Sequence, residues 1–180
     1  MQNIIACRQA SKLEMTEISE ADKSALQRAR ADSLRLLRFR PRSVKEMAQR
    51  LKQKGHRGFI IARVIDELQE KNFLDDKAFA KLWIGDRITL KPTGKSLVVR
   101  ELRSKGVADA VIDEAFDEFH GAYDEYEIAY PLARRKAERL KDAGEEKAKK
   151  KLSDFLSRRG FSYNTIWRIL KELFKEVNEY

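Results

Sequence analysis

Two short phrases in this 180-residue chain carry the residue types of working chemistry. Thr93-Gly94-Lys95-Ser96 has the order that ends a phosphate-gripping loop, in which backbone N–H groups and a lysine cradle phosphates at a helix start. Asp75-Asp76 sets two carboxylates side by side, as acid–base catalysis or a divalent metal would use them. Neither phrase has the surroundings its chemistry needs. A phosphate loop requires a glycine where Thr89 stands and a preceding strand, and Pro92 removes an N–H donor. Nothing at ligand spacing accompanies the aspartates: the chain has one cysteine, Cys7, and two histidines, His56 and His120. The expectation is no metal, no cofactor and no catalytic residue. Both phrases read as helix starts, Thr93 or Gly94 capping one helix and Asp75 or Asp76 another, where a carboxylate also suits the helix dipole.

The elements that position these phrases follow from a pattern that occurs three times. Leu51, Leu102 and Leu156 each lie four residues before a glycine (Gly55, Gly106, Gly160), and a basic residue directly precedes each glycine. Apolar residues follow: Ile61, Val64, Ile65 and Leu68; Ile112, Ala115, Phe116 and Phe119; Ile166, Ile169, Leu170 and Leu173. This spacing is a helix ended by glycine, then a second amphipathic helix. A regular repeat of this length signals an array of similar units. Upstream, Leu26, Ala29, Ser33, Leu36 and Leu37 form a helical stripe that Pro41 ends, and Ser43 to Glu46 has the order of a capping box. Between the first two glycines, Phe79, Leu82, Trp83 and Ile88 read as an apolar face. The expected fold is all-α, an elongated, curved array of three tandem three-helix repeats. The expected parts are an N-terminal tail over 1–22 and repeats over 23–73, 74–122 (closed by Gly121) and 123–180. Trp83 and Trp167 are expected in the core, and Phe73 and Phe161 between helices.

Composition narrows the function classes. No apolar run approaches the ~18 residues that span a bilayer, and residues 1–22 lack the basic-then-apolar order of a secretory signal. A single cysteine suits a reducing compartment, so a cytoplasmic protein is expected. The net charge of +9 is unevenly spread. Residues 28–63 hold twelve Lys/Arg against Asp32 and Glu46, and residues 109–127 hold eight acids and no Lys or Arg. Such segregation suggests an oriented partner as well as phosphate contact. Helix–turn–helix readout of DNA by all three repeats is not expected. The helix after Gly106 would bring Asp109, Asp113, Glu114, Asp117 and Glu118 to the phosphates; the helix with Asn164, Thr165, Arg168 and Lys171 is the only suitable reader.

Several phrases together resemble the RecX regulatory family. They are Arg42-Ser43 with Glu46, Leu51 and Lys54-Gly55; Phe73-Leu74-Asp75-Asp76 with Phe79-Ala80, Trp83 and Arg87; Gly94, Leu97, Glu101-Leu102 and Lys105-Gly106-Val107; and Phe155-Leu156 with Arg158-Arg159-Gly160-Phe161 and Ile166. The match runs from about residue 25 to residue 174. The resemblance implies a modulator of the RecA recombinase that associates with the RecA–DNA filament. Blocking filament growth or promoting disassembly, it would reduce ATP hydrolysis and strand exchange without catalytic residues of its own. Expected partners are the RecA filament and DNA, through weak backbone contacts; no membrane is expected, and the chain is expected to be a monomer. The charge map supplies candidate contacts: Arg38, Arg40 and Arg42; Arg87, Lys91, Lys95, Arg100 and Arg103; and Arg158, Arg159 and Arg168. The alternatives are a general nucleic-acid binder without a recombinase partner and a protein adaptor indifferent to DNA.

Overall fold

The structure, a computed structural model, describes residues 19–119 and 123–174. The readings placed on Cys7, His120, Gly121 and most of the tail lie outside the described residues. Among the described residues there are nine α-helices, one 3-10 turn and no strand. In chain order they are α1 (Glu20–Phe39), α2 (Val44–Gln53), α3 (Gly58–Glu70), α4 (Asp76–Thr89), α5 (Lys95–Ser104), α6 (Asp109–Asp117), α7 (Glu125–Glu138), the 3-10 turn (Lys141–Ala143), α8 (Glu145–Arg158) and α9 (Tyr163–Leu173).

The thrice-repeated leucine and glycine are two ends of one helix stop. Gly55, Gly106 and Gly160 take φ of 84°, 85° and 79°, the left-handed region that glycine enters without steric cost. At the end of α2 the Gly55 N–H donates to Lys52 O and the His56 N–H to Leu51 O; at the end of α8 the Gly160 N–H donates to Ser157 O and the Phe161 N–H to Leu156 O. This is the paired bonding of a Schellman stop, which satisfies the last carbonyls. Leu51, Leu102 and Leu156 are each fully buried.

The described residues form two compact units, one running to Phe79 with Lys105–Val107, the other holding Ala80–Ser104 and Ala108 onward. In the first, α1 and α2 both pack on α3, around Leu26, Ala29, Met47, Leu51, Ile60, Val64 and Leu68. Ser33, in the expected stripe, is buried and bonds its hydroxyl to Ala29 O. In the second, α7, α8 and α9 pack on one another around Ala129, Ala133, Leu152, Leu156, Phe161, Ile166 and Ile169, and α5 packs on α6.

The division falls inside α4, whose first residues belong to one unit and the remainder to the other. Its apolar face departs from the expected one at Leu82. Phe79, Ala80 and Ile84 are buried, whereas Leu82 is 57% exposed. A helix shared by two units has no single stripe to read. Phe73 is also exposed rather than packed between helices, while Phe161 is buried as expected.

Each unit contains a joint built on the first residues of a helix. In the first unit the Ser43 hydroxyl accepts from the Glu46 N–H, the capping half of the expected box, and donates to Lys105 O. The Val44 N–H, one of the donors a helix start leaves unpaired, is taken by Asp76 Oδ1 at 2.9 Å. Asp75 caps α4, accepting from the N–H groups of Lys77 and Ala78. The aspartate doublet thus divides its work, Asp75 capping the start of its own helix and Asp76 reaching to α2. In the second unit the Lys95 N–H is taken by Glu125 Oε1 at 2.8 Å, and Glu125 Oε2 accepts from the Ser162 N–H. The Gly94 N–H donates to Arg159 O and the Ser96 hydroxyl to Gly160 O. Counting back from the repeat glycines, Val44 and Lys95 are the same position. One design serves twice: a carboxylate from the start of the next group's first helix, and a serine on the carbonyl of a Leu-Gly turn.

Candidate binding surfaces

The second joint disposes of Thr93-Gly94-Lys95-Ser96 as a phosphate loop. The N–H groups that would hold phosphate, those of Gly94 and Lys95, are spent on Arg159 O and Glu125. Thr93 is buried, with its hydroxyl on Lys91 O and its carbonyl accepting from the Tyr123 hydroxyl. A Cβ on Gly94 would overlap the Gly160 carbonyl, so the glycine is there for close backbone approach. Among the described residues no group of three or more His, Cys, Asp or Glu side chains is placed to hold a metal ion.

The candidate cations separate by what already holds them. Arg40 forms a fork on Glu46, both contacts at 3.0 Å, and donates to Pro41 O. Arg42 is half-buried against Leu36 O, and burial lowers its pKa from the ordinary arginine value. Arg87 donates to Glu101 at 2.8 Å and stacks on Trp83, whose indole N–H bonds the same carboxylate. Arg159 bonds Pro92 O and lies over Phe155. These four are structural first.

Lys95, Arg103 and Arg168 are intermediate cases. The Lys95 ammonium lies over the Phe116 ring, Arg103 pairs with exposed Asp109 at 2.7 Å, and the Arg168 guanidinium stacks 3.7 Å from the centre of Tyr126. An exposed pair such as Arg103–Asp109 contributes little to stability and opens readily to a partner. Arg38, Lys91, Arg100 and Arg158 are exposed, and no hydrogen bond or ion pair of their side chains is found among the described residues. Arg38, Arg40 and Arg42 belong to the first unit and the other eight to the second.

Around the first joint the charges form a network. Burial would raise the Glu46 carboxyl, but the hydrogen bonds from Arg40 and Lys105 outweigh it and hold the pKa down at about 2. Asp76 moves the other way: burial raises it, and the Val44 N–H offsets this only in part. Elsewhere in the first unit a cleft of about 660 Å³ is lined by Arg28, Arg35, Lys54, His56 and Arg57 around the start of α3. It is less cationic than that lining suggests. Asp32 takes Lys54 and His56 at 2.9 Å each, with Arg35 at 3.6 Å, and Asp22 pairs with Arg57.

Two aromatic residues on α9 escape the sequence reading. Trp167, expected in the core, is 54% exposed, and Tyr163 one turn earlier is 78% exposed. A signal was present: the core positions after each glycine are the sixth, ninth, tenth and thirteenth, and Trp167 is the seventh. Trp83 is half-buried by its contacts with Glu101 and Arg87.

Comparison with known proteins agrees with this arrangement. The models of the first, second and third three-helix domains of RecX match residues 29–68, 75–115 and 123–170. Regulatory protein RecX of Chlorobium limicola is 39% identical over 147 residues, covering 82% of this chain and 90% of that protein. Regulatory protein RecX of Clostridium acetobutylicum is 32% identical over 173 residues, covering 91% and 76%. The crystal structure of RecX from Lactobacillus salivarius superposes with a TM-score of 0.73 at 22% identity, covering 84% of this chain and 97% of that one, which speaks to the fold. In the described residues no helix is long and apolar enough to cross a membrane. With its three domain models in order and relatives matched over most of their length, the chain belongs to the RecX family.

Proposed function

We propose that this chain is a non-enzymatic cytoplasmic regulator that binds the RecA–DNA filament and lowers its ATPase and strand-exchange activity. The observation that carries the reading is the match over most of the chain to proteins named regulatory protein RecX. The charge pattern supports it. A protein filament on DNA presents phosphates and protein surface together, and this chain combines free cations with a separate acidic helix, α6. Among the candidate contacts, Arg38, Lys91, Arg100 and Arg158 meet a partner without first breaking a hydrogen bond or ion pair found among the described residues. Several weak contacts on a repeating lattice reinforce one another by effective concentration, so binding to one filament state shifts the filament towards it or blocks its growing end.

The test is the DNA-dependent ATPase rate of RecA as the protein is titrated in, with single-stranded DNA in excess. A fall at far less than one copy per RecA is expected, because competition for DNA cannot act at that ratio. Inhibition only when the DNA itself is covered would replace the reading with a plain nucleic-acid binder, which the free cations alone would support. Charge reversal at Arg38, Lys91, Arg100 and Arg158 is expected to weaken filament binding and reduce its salt slope by roughly 0.7 to 0.9 per phosphate contact removed.

A further inference from the structure

α6 and α9 hold the same place in their three-helix groups, and their inward sides agree. Ile112, Ala115 and Phe116 of α6 align with Ile166, Ile169 and Leu170 of α9; all are buried except Leu170, which is half-buried. Their outward sides share nothing. At the third, seventh and eleventh residues after the repeat glycine, α6 carries Asp109, Asp113 and Asp117, all exposed. The same three positions of α9 carry Tyr163, Trp167 and Lys171, also exposed. Packing cannot account for a difference at positions that do not pack.

We propose that the outward stripe of α9 is a base-stacking site for single-stranded nucleic acid, with Tyr163 and Trp167 as the platform and Lys171 and Arg158 meeting the backbone. The inference rests on the reading above that nucleic acid is one of the partners. Residues four apart on a helix are neighbours on one face, so the two rings share a face one turn apart. The Lys171 ammonium lies 5.0 Å from the centre of the Trp167 ring, which nevertheless stays half-exposed. No exposed residue of α9 is acidic: its one carboxylate, Glu172, is half-buried and accepts from the Tyr126 hydroxyl. Arg158, just before the turn into α9, is exposed and holds no internal partner among the described residues. Flat rings flanked by cations are what sequence-tolerant binding of unpaired bases requires. In a duplex the bases already stack on each other, and rings projecting from a helix would have to force them apart. A protein partner is the weaker fit, because two rings cover only a fraction of the roughly 800 Å² per side of a stable protein interface.

The test uses the whole protein, an oligothymidylate strand and a duplex of equal length, at low and moderate salt, without recombinase. The strand is expected to quench tryptophan fluorescence. Trp167→Phe is expected to abolish the quench while keeping affinity within about threefold, since phenylalanine still stacks. Tyr163→Ala with Trp167→Ala is expected to weaken strand binding roughly tenfold or more, leave duplex binding and the salt slope unchanged, and leave the helical circular dichroism intact. The proposal is overturned by a quench that persists in Trp167→Phe and so arises at Trp83, by an unimpaired double variant, or by equal losses on strand and duplex. It is equally overturned if the wild type does not bind the strand, or if the double variant keeps the strand yet loses recombinase inhibition, which would make α9 a protein-facing patch. Because these readouts need no recombinase, failure of the filament reading would leave them standing.

Discussion

The two joints share a carboxylate on a helix-start N–H and a serine on a turn carbonyl, and differ in what surrounds them. The first surrounds its helix start with charge: half-buried Asp76 on the Val44 N–H, and Glu46 held between Arg40 and Lys105. The second brings backbone against backbone: a Cβ on Gly94 would strike the Gly160 carbonyl, and one on Gly160 would strike the N and Cβ of Leu97. Clustered ion pairs answer to pH, whereas backbone held against backbone forgives nothing added to it.

The contrast is open to direct attack. The largest effect is expected for Gly94→Ala, whose methyl group would overlap the Gly160 carbonyl. A loss of roughly 3 kcal/mol in urea unfolding, the upper end for over-packing, is expected. Unchanged stability would mean the second joint yields as easily as the first. Next comes acid. The Glu46 pKa is depressed to about 2 from an ordinary 4.5, so its contribution is complete above pH 4.5 and is lost as pH falls from there towards 2. Asp32 and Glu67 in the same unit are shifted the same way by their basic partners. The loss at Glu46 is on the order of 2–3 kcal/mol, visible as weakening of the Met47 and Gly55 amide resonances before those of Leu97 and Gly160. Glu46→Gln should flatten that response, and simultaneous weakening in both regions would erase the distinction.

Asp76→Ala is expected to cost about 2 kcal/mol by orphaning the Val44 N–H. Asp76→Asn, which keeps an acceptor and removes a charge that burial disfavours, is expected to match or exceed the wild type at neutral pH. A loss as large as that of alanine would show that the carboxylate charge, rather than the hydrogen bond, holds α2. Smallest is Ser96→Ala, at about 1 kcal/mol for one hydroxyl on Gly160 O; hydrogen exchange at the Lys95 amide should quicken modestly.

What was legible in the sequence was whatever lay within one or two helices. Leu51 and Gly55 belong to one helix stop, and Ile61, Val64, Ile65 and Leu68 to one face, so their spacing carried the meaning. The joints were not legible, because Val44 and Asp76 or Gly94 and Gly160 are dozens of residues apart and meet only after folding. Thr93-Gly94-Lys95-Ser96 looked like chemistry for that reason: its glycine is conspicuous, but the group it makes room for is another glycine. Of the candidate contacts, sequence located the cations and not their internal partners. Arg87 and Arg158 are both arginines in basic surroundings, yet one lies between Trp83 and Glu101 and the other is exposed, with no partner among the described residues. Trp167 has helical spacing from other apolar residues, which suggests the core, but its place after the repeat glycine faces outward.

The pairing of Gly94 with Gly160 has a consequence for descent. Gly94 cannot drift alone, since a methyl group there strikes the Gly160 backbone and no second substitution can shrink a backbone carbonyl; Gly160 is held in turn by its φ of 79° and by the Leu97 backbone. Among related chains the two should therefore be inherited as a pair. Where one is replaced, the loop bearing the other should have changed length, because only moving the backbone makes room.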